Sequence, residues 1–119
     1  MSGTRGTGSS TVLAITSQGL GRGDEELGRN LAVNFLRTLA FGDDVPGIIV
    51  CYNEGVKLAE QGSPAVPMLE ALVQQGTDGV LCGTCGTSVA LADRVAVGRV
   101  GDMQGIVAAL LAAEKVIYL

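Results

Sequence analysis

The chain has 119 residues and a mass of 12.1 kDa, which is room for one compact domain of ordinary size and not two. Its 47% hydrophobic and 17% charged composition excludes a disordered chain, and a net charge of −4 argues against a non-specific binder of nucleic acid or anionic membrane. The absence of histidine excludes Ser-His-Asp and Cys-His catalysis, and every His-ligated metal site within one chain.

Residues 1–10 are mostly Ser, Gly and Thr and read as a flexible tail ahead of a single domain over 11–119. They contain no apolar core of a secretory signal, so a cytoplasmic protein with reduced thiols is expected. A β-branched run at 11–16 predicts a first strand, followed by a glycine-rich loop at 17–24. Asp24 then caps a helix whose first turn holds Glu25 and Glu26, where the helix dipole favours anions. Leu27, Leu31, Phe35 and Leu39 repeat every four residues along one face, and Gly42 stops the helix. The run at 47–52 predicts a second strand. A helix beginning near Ser63-Pro64 or at Pro67 ends at Gln75, with Gly76 as its stop. A third strand at 79–82, a short helix at about 86–93 and a fourth strand at 95–97 follow. Asp102 caps a last helix running to Ala113, and 115–119 forms the fifth strand.

Short strands alternating with helices predict a three-layer α/β/α sandwich, and uniformly apolar strands predict a parallel sheet covered on both faces. In such sheets ligands bind beyond the carboxyl ends of the strands. Three loops fall there: 17–24, 52–58 and 82–86. The first has the glycines of a phosphate cradle but no P-loop Lys-Ser/Thr pair, and three acids open the helix where a phosphate would sit. A tight turn needing positive φ is the better reading, with Arg22 its one cation. The second loop offers Asn53 and Lys57 as pocket residues, although Asn53-Glu54-Gly55 is also ordinary turn chemistry. Cys51 lies within an apolar run and reads as a buried structural thiol.

The third loop carries the strongest signal, Cys82-Gly83-Thr84-Cys85. Two thiols at this spacing can chelate a metal, form a reversible disulfide or pass sulfur. Three cysteines and no histidine fall short of a closed zinc or iron–sulfur site, so no metal or other cofactor is expected. Cys82 ends a strand. Cys85 begins a predicted helix, where the dipole and free N–H groups favour a thiolate.

The stretches Leu20 to Gly28, Asn53 to Leu58, Cys82 to Cys85, Val97-Gly98 and Met103 together resemble the carboxy-terminal domain of YedF-like proteins in the DsrE/DsrF-like family. The resemblance runs in order over residues 11–119. It implies a three-layer sandwich with a five-stranded parallel sheet, assembly into oligomers, and a persulfide carried on a cysteine after a central strand, here Cys82 or Cys85. Such proteins are sulfurtransferase-like and linked to selenium metabolism, usually with an amino-terminal TusA-like domain. No such domain lies in these 119 residues, so a separate TusA-like donor or acceptor is expected. The leading reading is a sulfur carrier with Cys85 and Cys82 at its centre and Arg22, Asn53 and Lys57 lining the pocket. The alternatives are a dithiol–disulfide redox protein using the same pair, and a non-catalytic oligomeric module. A homo-oligomer is also the natural outlet for a mean hydropathy of +0.39 in so small a domain.

Overall fold

The structure, a computed structural model, describes residues 10–83 and 93–119. Five strands form one parallel sheet: β1 (Thr11–Ile15), β2 (Ile48–Cys51), β3 (Asp78–Cys82), β4 (Arg99–Gly101) and β5 (Lys115–Tyr118). Their spatial order is β4-β3-β2-β1-β5. The helices that lie wholly within the described residues are α1 (Glu25–Ala40), α2 (Val66–Gln74) and α3 (Met103–Ala112), with a 3-10 helix over Asn53–Ala59. The predicted helix at 86–93 falls almost wholly outside the described residues. Among those residues no helix is long and apolar enough to cross a membrane.

Strand alternation divides the core. Leu13, Ile15, Ile49, Cys51 and Leu81 meet Ala32 and Leu36 of α1 and Leu69 and Leu72 of α2 on one face. Val12, Ala14, Val50, Val80 and Cys82 meet Ile106 of α3 on the other. This is the three-layer parallel sandwich expected from the pattern. The order follows from right-handed crossovers: β1 to β3 add along one direction with α1 and α2 on one face, and the return to β5 places α3 on the opposite face.

Local signals explain the helix ends. The Asp24 carboxylate accepts from the Leu27 N–H at 2.9 Å, and Asp102 accepts from Gly105 N–H at 2.8 Å. Helix α2 starts at Val66 with Pro67 in its first turn, where the missing N–H costs nothing.

Two expectations need correction. The buried stripe of α1 is Gly28, Ala32, Leu36 and Ala40, one residue on from the leucine repeat. Leu27 and Leu31 are exposed, and Phe35 and Leu39 only border the core. Close packing selects the small residues: the Leu20 N–H donates to the Gly28 carbonyl at 2.9 Å, and a methyl group on Gly19 would come within 3.2 Å of the Gly28 backbone. The fourth strand is 99–101, not 95–97. Val97 is buried in the α1–α2 side of the core, Val95 forms an isolated antiparallel bridge with Glu60, and Gly98 at φ +90° redirects the chain before Arg99. Arg99 then makes a bidentate ion pair with Asp78 on the neighbouring strand, at 3.1 and 2.9 Å.

Candidate functional site

Because every strand runs the same way, the segments after β1, β2 and β3 emerge at one edge of the sheet. The backbone joins them there: the Tyr52 N–H donates to the Ile15 carbonyl at 3.1 Å. Loop 17–24 takes its turns at Gly21 (φ +81°) and Gly23 (φ +116°), as the tight-turn reading requires. It is held to α1 by the Leu20–Gly28 bond and internally by Ser17 Oγ, 2.7 Å from the Gly19 carbonyl oxygen.

Between this loop and the start of α1 lies a polar hollow of about 270 Å³. Asp24, Glu25 and Glu54 line it, with Arg29 as its cation. Three carboxylates against one guanidinium disfavour an anion, which agrees with setting the phosphate reading aside. Arg22 is not part of this lining. It is exposed, as are Asn53 and Lys57, and none of the three borders the hollow. Sequence reasoning did not single out Arg29. The available signal was that Arg29 sits one turn into a helix whose amino end faces the loop.

Asn53 has φ +55° and is the only non-glycine residue with positive φ among the described residues. It starts a 3-10 helix where the sequence predicts loop 52–58. The bend turns the chain back under β1, where Gly55 packs directly against the Ile15 carbonyl.

The two described cysteines have opposite positions. Cys51 faces α1 and α2, and Cys82 faces α3. Neighbouring strands thus send the two thiols to opposite faces, so they cannot join as a disulfide without rebuilding the sheet. Burial pushes the Cys51 thiol up to about 12. The folded chain therefore keeps this proton above the ordinary ionisation near 9.0, while the unfolded chain loses it. The sign is clear: the group contributes nothing to pH dependence below that value and lowers stability as pH rises from there towards 12. Iodoacetamide at pH 8 is expected to alkylate Cys51 only after denaturation. Labelling of Cys51 in the folded chain would contradict the assignment.

Cys82 ends β3 and is fully buried. Cys85 and the rest of its predicted helix start lie outside the described residues. Register adds a neighbour that sequence reading missed. Cys51 pairs with Leu81, so the next position sets Tyr52 beside Cys82, and both border the same apolar cluster. The Tyr52 hydroxyl is hydrogen-bonded to Tyr118 at the end of β5, and burial together with that neighbour raises its phenol above the ordinary value. A lone tyrosine after a strand gives no signal of this; the pairing depends on strand order.

The sequence matches no protein-family model and no curated protein. Solved structures are similar in fold. The ychN protein from E. coli aligns with a TM-score of 0.62 and 18% identity, over 92% of this chain and 98% of that one. The protein of unknown function MTH1491 from Methanobacterium thermoautotrophicum aligns with a TM-score of 0.64 and 20% identity, over 92% of this chain and 97% of that one. The class is thus a three-layer α/β sandwich with a five-stranded parallel sheet, a fold shared with nearly the whole of each neighbour.

Proposed function

We propose that the protein is a sulfur carrier that holds a persulfide at the carboxyl edge of its sheet. The observation that supports this most is the position of Cys82, at the end of a central strand and three residues before Cys85. Its complete burial divides the roles. A thiol with no exposed surface is poorly placed to meet a donor protein, so Cys85 is the acceptor and Cys82 the resolving thiol.

The chemistry balances without a metal. The Cys85 thiolate attacks the outer sulfur of a donor persulfide. A new S–S bond forms on Cys85, the donor's S–S bond breaks, and its electron pair leaves with the donor thiolate. With no histidine in the chain, activation of Cys85 falls to backbone N–H groups and nearby cations, for which Arg22 and Lys57 are the candidates. Attack by Cys82 on the inner sulfur would release hydrosulfide and leave a Cys82–Cys85 disulfide, which an external dithiol must reduce. Delivery instead to a thiolate on a separate, TusA-like partner in the reducing cytoplasm regenerates Cys85 directly.

The test is intact-mass measurement after treatment with sodium polysulfide. The wild-type chain is expected to gain one sulfur, Cys85→Ser to gain none, and Cys82→Ser to retain the gain for longer. Uptake persisting in Cys85→Ser would overturn the assignment of Cys85, and uptake persisting in both variants would end the carrier reading. Reversible loss of two hydrogens with no sulfur uptake would favour the dithiol–disulfide alternative.

A further inference from the structure

A second hollow lies at the opposite, amino edge of the sheet, between α1 and β5. Leu13 and Ile117 are register partners on neighbouring strands and face the same side of the sheet. Leu13 is 1% exposed, packed with Leu36 of α1 in the core. Ile117 is 38% exposed, because β5 is the outermost strand and reaches beyond the cover of α1. The uncovered strip forms a cavity of about 260 Å³, floored by Leu13, Phe35, Leu39 and Ile117. Asp44, from the turn before β2, and Lys115, the first residue of β5, also line it, and both are exposed at its rim. They carry opposite charges and border one cavity. Yet neither forms an ion pair with the other or with any other described residue.

We infer that this cavity binds a free α-amino acid with an apolar side chain. Size, polarity and charge select that ligand together. Pockets for drug-sized molecules run to roughly 300–1,000 Å³, so a cavity of about 260 Å³ suits something smaller, on the scale of one amino acid. The floor is apolar and the polar groups stand at the rim, which is the arrangement that buries a hydrocarbon side chain and orients a polar head. The charges decide the head. A lone carboxylate gains from Lys115 but faces Asp44, and a lone amine gains from Asp44 but faces Lys115. A zwitterion answers both. Exposed ion pairs contribute little each, so the floor supplies most of the affinity and the two charges set the selectivity. The cavity is at the other end of the strands from Cys82, so the ligand does not meet the thiols, and the inference is independent of the sulfur chemistry.

The test is an NMR titration of the full chain with L-leucine, alongside isocaproate, which lacks its amine, and isoamylamine, which lacks its carboxylate. Leucine is expected to shift Leu13, Leu39 and Ile117 saturably, and each analogue to bind about fivefold more weakly. Asp44→Asn is expected to abolish the advantage of leucine over isocaproate, and Lys115→Gln its advantage over isoamylamine, each leaving the other advantage in place. Both residues are exposed, so neither substitution threatens the fold. Ile117→Trp fills the cavity from the sheet edge and is expected to remove leucine binding, with circular dichroism as the check on folding. No saturable shift at about 20 mM leucine would overturn the inference, including the case in which residues 1–9 or a second copy occupy the cavity. Equal binding of the three probes would overturn the choice of an amino acid. Shifts that survive Ile117→Trp would overturn the choice of cavity.

Discussion

Gly55→Ala is expected to destabilise the chain by about 3–5 kcal/mol, among the largest effects of any single substitution here. The cause is steric and has nothing to do with φ. A methyl group at residue 55 would overlap the Ile15 carbonyl, within van der Waals contact of both its oxygen and its carbon. Ile15 cannot yield, because β1 is paired on both sides, with β2 and β5, and is fully buried. Gly62→Ala makes the contrast. That residue sits at φ +90° with nothing within 4 Å of the added methyl, so its expected cost is only about 1 kcal/mol. Urea denaturation checks both. Equal midpoints for the two variants would show that the 3-10 helix can lift away from β1 at little cost.

Leu36→Ala should destabilise by about 3–4 kcal/mol, and Leu27→Ala by less than about 0.5 kcal/mol. The side chains are chemically identical and lie nine residues apart on one helix. Leu36 is fully buried between α1 and the sheet, so truncation leaves a cavity in a packed core. Leu27 is 56% exposed in the first turn and already loses little water on folding. If the two variants unfold at the same urea concentration, α1 is rotated by about a quarter turn or more from the orientation described.

That comparison also shows what could be read from the residues alone. The existence of α1 and its cap were legible, because Asp24, Glu25, Glu26 and the leucine spacing are local signals. Its rotation was not, since the small stripe of Gly28, Ala32 and Ala40 is buried by closeness of approach and carries little hydropathy of its own. Strands β1, β2, β3 and β5 were legible as β-branched runs. β4 was not, because its three residues include an arginine whose place depends on Asp78, 21 positions earlier in the chain. At the carboxyl edge the sequence correctly indicated that Cys82 closes a strand and that loop 17–24 needs positive φ. It could not indicate that Tyr52 stands beside Cys82 and meets Tyr118. Those neighbours are set by strand order and register, which the residues of one strand do not encode.

The strand order also bears on how the chain reaches this structure as it is synthesised. β1, β2, β3 and β4 occupy successive positions in space in the order in which they are made, so each can add to the growing edge as it becomes available. β5 breaks this series. It returns to the opposite edge of β1, with Lys115 beside Thr11, about a hundred residues after its partner strand was made. Until residues 115–118 exist, the outer edge of β1 has unpaired backbone groups next to fully buried Val12 and Leu13. The growing sheet is therefore most open to mispairing at β1, the first of its five strands to be made, and β5 is the one that closes it.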